Sequence, residues 1–263
     1  MGTGLMYKIR TSYPYRSIRL FIYYVFEFKK YKNKQQMILS GKDDTYSYLR
    51  KYQNIHNGKR CFIIATGPSL SKTDLNALRN EYTFGVNALC LKFDDLGWKT
   101  NYFVLSDYNA FKKLSPILTN NRTRFFSTWD ARDNPYCDFV PTFIHNCYML
   151  DYAKKEFTKE IESGIGDGNT VVLQAIQIAA YMGFKEIYLL GVDCNYDLKD
   201  GELYFVDHGI RIALQQGAGL RMIADFTIIN RYAKKWGVEI YNATNGGMLE
   251  VFPRVNLQNI LAK

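Results

Sequence analysis

The sequence has few residues of the types that build metal sites or disulfide frameworks. Its three histidines, His56, His145 and His208, are scattered along the chain, and this spacing argues against a zinc site. The five cysteines are odd in number and show no close pairing, which predicts reduced thiols and a cytoplasmic protein. We therefore expect no metal, and nothing else in the sequence calls for a cofactor.

The sequence also lacks a long hydrophobic segment and a recognisable signal peptide. The apolar run at residues 19–26, RLFIYYVF, is too short for a bilayer, since a spanning helix needs about 20 apolar residues. What the chain does have is length and apolar content. Its 263 residues, of which 47% are hydrophobic, are enough for one core with an appendage.

Acidic residues are scarce at the start of the chain, where Glu27, Asp43 and Asp44 are the only ones in residues 6–58. Basic residues there include Lys8, Arg10, Arg16, Arg19, Lys29, Lys30, Lys32 and Lys34. Apolar residues at 21–28 add a second face. A basic stretch rich in aromatic residues suits the surface of an anionic membrane, which for a cytoplasmic protein would be the inner face of the plasma membrane. The stretch could equally pack on its own domain or on a sister subunit in a homo-oligomer. Nucleic acid is a weaker partner for the net charge of +9, because no recognition motif accompanies the charge.

The segment at residues 60–70, RCFIIATGPSL, has the layout of a strand, a tight turn and a helix start. Gly67 lets the backbone turn and approach a ligand, and Pro68 suits a first helical turn. Ser69 and Ser71 are candidate caps for the helix. A capped helix start after a strand is an anion site, although the single glycine matches neither the dinucleotide fingerprint nor the P-loop.

A second segment repeats this layout at residues 164–197, GIGDGNTVVLQAIQIAAYMGFKEIYLLGVDCNYD. Asp167, Asn169 and Thr170 offer a helix start, and residues 170–182 are so apolar that we expect a buried helix. A buried strand at residues 186–190 then ends at Gly191. Because ligands of open α/β sheets bind at the carboxyl ends of strands, the two segments predict one shared crevice.

Alternating strand and helix patterns predict an α/β fold, a Rossmann-like, doubly wound and mostly parallel sheet with a basic N-terminal helical arm. We place the arm at residues 1–58 and the nucleotide-binding catalytic domain at residues 59–263. Strands are expected at 61–65, 83–86, 102–105, 124–127, 139–143, 186–190 and 239–241. Helices are expected at 72–80, 110–118, 150–158, 170–182 and 220–236. The long polar, glycine-punctuated stretch at 196–219 predicts a lid.

Five stretches in this order resemble a domain shared by two enzyme groups. They are ATGPSLS, FGVNAL, YFVLSDYNAF, GFKEIYLLGVD and YNATNGGMLEVFPR, and the similarity covers residues 59–255. One group is the bacterial sialyltransferases that use cytidine-monophosphate-activated sialic acid. The other is the 6-hydroxymethylpterin diphosphokinase-like family, which includes flagellin-modifying glycosyltransferases and proteins of surface-polysaccharide clusters; this polysaccharide branch looks closest.

The resemblance implies a set of nucleotide-binding residues. The first loop and the asparagine after the second strand correspond to Thr66, Gly67, Pro68, Ser69 and Asn87, although the sialyltransferases carry asparagine where this chain has Thr66. The sugar- and phosphate-contacting loop corresponds to Gly168, Asn169 and Thr170. Two tyrosines that bind the departing phosphate correspond to Tyr196 and Tyr204, whose hydroxyl groups can stabilise the developing negative charge.

The catalytic base is less well defined by the resemblance, because no histidine stands near residue 220, where the sialyltransferases carry theirs. Three candidates remain. Asp193 and Asp107 follow predicted strands, and His208 lies in the candidate lid beside Asp207. We rank the two aspartates ahead of His208, because rigid strand ends are where a sheet presents its chemistry.

The resemblance implies a glycosyltransferase of bacterial surface-polysaccharide synthesis, metal-independent and inverting. Its partners would be a nucleotide-activated sugar, first of all a cytidine-monophosphate-linked nonulosonate, and a glycan or lipid-linked acceptor. One alternative is a hydroxymethylpterin diphosphokinase, which needs magnesium and a carboxylate pair. The other is a non-catalytic nucleotide-binding scaffold, in which Asp107, Asp193 and His208 would be dispensable.

Overall fold

The computed structural model describes residue 18 and residues 29–129, 133–143, 156–195 and 217–262. The strands are β1 Arg60–Ile64, β2 Thr83–Val86, β3 Tyr102–Leu105, β4 Arg124–Ser127, β5 Cys137–Phe139, β6 Thr142–Phe143, β7 Ile165–Gly166, β8 Glu186–Leu190 and β9 Glu239–Asn242. Seven of them form one parallel sheet in the order β5-β4-β3-β2-β1-β8-β9, and β6 pairs with β7 in a separate two-stranded sheet. The predicted α/β fold with a parallel sheet is confirmed.

Helices and short 3₁₀ turns connect these strands. The α-helices are α1 Lys29–Leu39, α2 Phe93–Leu96, α3 Tyr108–Asn120, α4 Val172–Tyr181, α5 Ala218–Trp236 and α6 Leu257–Leu261. The 3₁₀ turns span Ser47–Tyr52, Pro68–Lys72, Leu75–Leu78, Asn87–Lys92 and Ile161–Ser163.

The sheet is covered on both faces, because the apolar side chains of each strand point alternately to the two faces. In β1, Cys61 and Ile63 pack in the cluster that contains α4 and α5, whereas Phe62 and Ile64 pack in the cluster that contains α3. Side chains of neighbouring residues in a strand point to opposite faces, so a continuous apolar run fills two cores. Every residue of α4 is buried, as its apolar sequence predicts.

Two predicted elements take a different form. The helix expected at 72–80 is wrong, because the backbone at Thr73 is extended and separates two 3₁₀ turns. The strand expected at 139–143 is split into β5 and β6 around Pro141, which has no N–H to donate to a strand ladder. The helix expected at 150–158 and the lid at 196–219 lie largely outside the described residues.

The described part of the predicted N-terminal arm packs on the domain. The Tyr52 hydroxyl donates to Asp138 at 2.6 Å, and Arg50 pairs with Glu162 at 2.7 Å. Backbone N–H groups of Asn54, His56 and Gly58 donate to the carbonyl groups of Tyr181, Met182 and Gly183 at the end of α4. Residues 29–58 therefore contribute to the domain's edge, and the boundary at residue 58 stays a prediction.

Among the described helices, none combines the length and the apolar character needed to cross a lipid bilayer.

Candidate active site

A crevice opens at the carboxyl ends of the central strands. It lies where β1 has β2 on one side and β8 on the other, so the chain's crossovers leave β1 in opposite directions. Such a switch point leaves a gap between connections, which is where open α/β sheets bind ligands. The crevice has a cavity volume of about 40 Å³, and its empty space is about 430 Å³ when the part open to solvent is included. It is lined by residues 65–68 after β1, Asn87 after β2, Thr170 and Val172 at α4, residues 191–195 after β8, and Met222 on α5.

The first wall is the loop after β1. Gly67 donates its N–H to the Gly191 carbonyl at 2.8 Å, and its α-carbon faces the Asp193 carboxylate. A β-carbon there would stand 2.5 Å from the Gly191 oxygen and would overlap Asp193 Oδ2. Glycine is therefore required at position 67 for a steric reason, because the two loops approach each other too closely for a β-carbon. Its backbone conformation is not the reason, since any residue can adopt its φ of −66°.

The predicted capped helix after this loop is wrong. Pro68–Lys72 is a five-residue 3₁₀ turn whose N-cap, Gly67, has no side chain to cap it. Ser71 donates its hydroxyl to the Pro68 carbonyl at 2.8 Å, so it does not cap a helix start. Ser69 instead donates to Asp193 at 2.8 Å, which joins the first loop to the second.

Asp193 is the carboxylate that the structure places in the crevice. Its side chain is 9% exposed, and burial raises its pKa above the usual value for an aspartate, while hydrogen bonds from Ser69 act in the opposite direction. A carboxylate with a raised pKa is a stronger proton acceptor than an exposed one. Next to it, burial first and the charge of Asp193 second raise the pKa of the Cys194 thiol to about 12, so this thiol stays protonated.

Two non-glycine residues of the crevice have left-handed backbone conformations. Asn87 has a φ of +52° and Cys194 has a φ of +52°. Asparagine tolerates this region, whereas a cysteine there is held by its surroundings. The amide of Asn87 has no hydrogen-bond partner among the described residues, so its donors and acceptor remain open to a ligand.

The start of α4 forms another wall of the crevice. Thr170 and Val172 line the crevice, and the Val172 N–H donates to Thr170 Oγ1 at 3.4 Å. Asn169 turns away, because its backbone N–H and its side-chain amide both donate to the buried Asp225 of α5, at 2.8 and 2.7 Å. Gly168 lies against Leu173 and the same carboxylate, and a β-carbon there would overlap Leu173 Cδ1 and stand 2.9 Å from Asp225 Oδ2. The structure thus brings Thr170 into the crevice and uses Gly168 and Asn169 to anchor its loop.

The segment at residues 241–254 supports the loop after β8, although the sequence suggested no role for this segment. Arg254 makes a two-oxygen ion pair with Glu250 and donates to the Gly246 and Gly247 carbonyl groups at 2.8 and 3.1 Å. A β-carbon at Gly247 would stand 2.7 Å from Asp193 Cα, and the Met248 N–H donates to the Asp193 carbonyl at 2.7 Å. The stretch YNATNGGMLEVFPR therefore forms a buttress behind Asp193.

The remaining predicted residues are not brought to the crevice by the described structure. Asp107 follows β3 as an exposed residue and accepts the Ala110 N–H at 2.8 Å, which makes it the N-cap of α3. Tyr196, Tyr204 and His208 lie outside the described residues. Within the described ranges, no three histidine, cysteine or acidic side chains converge as a metal site would require.

Known proteins bear on this arrangement in three ways. A search of curated proteins gives no significant match. The fold is similar to that of the MAf glycosyltransferase from Magnetospirillum magneticum AMB-1, with a TM-score of 0.52 and 17% identity over 78% of this chain and 35% of that one. The chain therefore spans about a third of that protein, and the likeness concerns the fold. The sequence model of one family matches residues 29–199, more than half of the chain, and by this match the protein belongs to the 6-hydroxymethylpterin diphosphokinase MptE-like family.

Proposed function

We propose that this protein is a glycosyltransferase that binds a nucleotide-activated sugar in the crevice between β1, β2 and β8. The observation that carries the proposal is the buried carboxylate of Asp193 at a topological switch point, opposite the open amide of Asn87 and the start of α4. The likeness of the fold to a MAf glycosyltransferase supports the same class of reaction.

In this proposal Asp193 is the base of an inverting transfer. It takes the proton from an acceptor hydroxyl while the hydroxyl oxygen forms a bond to the anomeric carbon of the sugar. The bond from that carbon to the phosphate oxygen breaks, and its electron pair leaves with the nucleotide. The hydroxyl of Thr170 and the positive end of the α4 dipole would stabilise the departing phosphate, because a helix start favours negative charge. Tyr196 and Tyr204 are proposed as further donors, His208 is the second-choice base, and the transfer needs no metal.

The donor that we propose first is a cytidine-monophosphate-linked nonulosonate, on the resemblance of the loops at Thr66 and Asn87 to those of sialyltransferases. The acceptor would be a glycan or a lipid-linked glycan of a surface polysaccharide, reached from the cytoplasm. Contact of residues 6–58 with an anionic membrane stays a proposal that rests on their basic and aromatic composition. Residues 29–58, the described part of this arm, do not add to the support for membrane contact, because their contacts are with the domain.

A hydroxymethylpterin diphosphokinase is the second candidate, and the description of the family supports it. That reaction moves a diphosphate from ATP and needs a carboxylate pair for magnesium. Asp193 is the single carboxylate among the described residues that line the crevice. We therefore rank this candidate below the glycosyltransferase, and a nucleotide-binding scaffold without catalysis below both.

Calorimetric titration with CMP, UMP, GDP, ADP and magnesium-ATP tests the proposal. We expect a cytidine nucleotide to bind and Asn87→Gly to weaken its binding about tenfold, the equivalent of about 1.4 kcal/mol. Glycine keeps the left-handed backbone and removes the side chain with its amide. Asn54→Gly is the matched control, because Asn54 also has a positive φ, of +57°, and lies outside the crevice.

Tight binding of magnesium-ATP alone would favour the diphosphokinase instead. Equal affinity of the Asn87→Gly and Asn54→Gly variants would remove Asn87 from the nucleotide site. If none of these nucleotides binds, the glycosyltransferase proposal fails.

A further inference from the structure

Two aromatic rings stand exposed at the carboxyl edge of the sheet, after β3 and β4. Tyr108, the first residue of α3, is 52% exposed, and Trp129, just after β4, is 41% exposed. Their ring centroids are 4.9 Å apart and the ring planes meet at 61°. Exposed large aromatic side chains that lie next to each other form an apolar patch, and such a patch on a folded domain indicates a binding site.

The Trp129 ring is held in place from below. Its indole N–H donates to the Ser106 carbonyl at 2.9 Å, and its backbone N–H donates to Ser127 Oγ at 3.0 Å. The indole N–H is therefore satisfied by the protein, while part of the apolar ring surface remains exposed. A ring fixed in this way loses little conformational entropy when a ligand stacks on it.

A carboxylate lies beside the rings. Asp107 is exposed, and its Oδ1 accepts the Ala110 N–H at 2.8 Å. Its Oδ2 has no partner among the described residues. Asp107 therefore presents a free acceptor for hydroxyl groups at the same place where Tyr108 and Trp129 present apolar surface.

We propose that Tyr108, Trp129 and Asp107 form the subsite for the acceptor glycan, with a pyranose ring stacked on Trp129 and flanked by Tyr108, and with its hydroxyl groups donating to Asp107. A pyranose has one face of weakly positive C–H bonds, which matches the negative face of an aromatic ring. Its rim of hydroxyl groups matches a carboxylate acceptor. Both features of the sugar are met here within two neighbouring segments, one after β3 and one after β4.

The position relative to the crevice fits an acceptor. The strands run β1-β2-β3-β4 across the sheet, so the end of β4 lies two strands away from Asn87 at the end of β2. Adjacent strands are about 4.8 Å apart, so the end of β4 lies about 10 Å from the end of β2 along the edge. A donor sugar in the crevice and an acceptor sugar on the rings would then be neighbours. The role as acceptor site rests on the proposed function, whereas the binding of a sugar does not.

Nuclear magnetic resonance of the full chain labelled at the tryptophan indoles tests this inference. The chain has three tryptophans, Trp98, Trp129 and Trp236, so each indole N–H gives a separate reporter. The probes are maltotriose, cellotriose and triacetylchitotriose, because stacking recognises the C–H face of a pyranose more than its identity. We expect at least one trisaccharide to shift the Trp129 signal and leave those of Trp98 and Trp236 in place.

Variants then locate the contact. Trp129→Ala and Tyr108→Ala should each weaken binding of that trisaccharide about tenfold, and Tyr108→Ala serves alone if Trp129→Ala fails to fold. Tyr82→Ala is the matched control, because Tyr82 is 37% exposed but precedes β2 at the opposite edge of the sheet. None of the three variants should change the affinity for the nucleotide.

The outcomes separate this inference from the proposed function. If nucleotides bind and no trisaccharide shifts Trp129, the acceptor subsite is wrong and the donor site stands. If a trisaccharide binds and no nucleotide does, a glycan site stands without the transferase. A loss of nucleotide affinity in Trp129→Ala overturns the inference, because the rings would then stack the nucleobase.

Discussion

Asp193 and Asp107 occupy equivalent places in the sequence, each just after a buried parallel strand, yet the structure gives them different surroundings. Asp193 is buried between the loop after β1 and the buttress at residues 241–254, and Ser69 donates to it. Asp107 is exposed and caps α3. The difference follows from strand order. The strand before Asp193 borders the switch point, whereas β3 lies inside the run β2-β3-β4, whose connections leave no such gap.

The largest expected effect separates the two carboxylates by their chemistry. Asp193→Asn should lower turnover about 10²- to 10⁴-fold with little change in nucleotide affinity, because it removes the general base and keeps the shape of the side chain. The measurement is release of nucleotide from the donor in the presence of acceptor. Burial raises the pKa of Asp193, and the base must be ionised, so wild-type turnover should fall with decreasing pH through a value above the ordinary aspartate pKa of about 3.9.

Asp107→Asn is the control for this prediction. As a residue of the proposed acceptor subsite, it should raise the KM for the acceptor and leave the acid limb of the pH profile unchanged. An equal loss of turnover in both variants, or the larger loss in Asp107→Asn, would reverse our assignment of the base.

A smaller effect is expected from the contact that encloses Asp193. Gly67→Ala places a β-carbon against the Asp193 carboxylate and the Gly191 carbonyl, so it should lower the free energy of unfolding by about 1–3 kcal/mol through overpacking. Turnover should fall as well, because the carboxylate must move. Chemical denaturation and the nucleotide-release assay measure the two losses.

Ser69→Ala separates displacement of Asp193 from loss of its partner. It deletes the hydroxyl that donates to Asp193 without adding atoms. Because the Ser69 hydrogen bond lowers the pKa of Asp193, its loss should move the acid limb of turnover to higher pH.

The outcome that would contradict the Gly67→Ala prediction is wild-type stability and turnover in that variant. It would mean that a β-carbon fits between the two loops.

The smallest effect tests the structural role of Asp107. Asp107→Ala should lower the free energy of unfolding by about 1 kcal/mol, because it removes the side-chain cap of α3. Asp107→Asn should stay near the wild type, since asparagine caps a helix equally well. Thermal unfolding of both variants gives the comparison, and equal stability of the alanine and asparagine variants would contradict the capping role.

The strand pattern was largely predictable from the sequence, and the shape of the loops was not. The bounds of β2, β3, β4 and β8 match the predicted runs, because each is a short apolar segment between turn residues. The turn after β1 was mistaken for an α-helix start. Its backbone is extended at Thr73, and its serines bond to Asp193 and to the Pro68 carbonyl. Contacts of this kind come from distant parts of the chain and leave no local pattern.

The sequence by itself determined the fold class and the loops after β1, β2 and β8 that line the crevice, since apolar runs, turns and polar strand ends are local properties. Only the tertiary structure decided which polar residues meet. It joined Ser69 to Asp193 across 124 positions and Asn169 to Asp225 across 56 positions. It also set Asp107 apart from Asp193, because the order of strands in a parallel sheet depends on how the crossovers pack and is not written in any single segment.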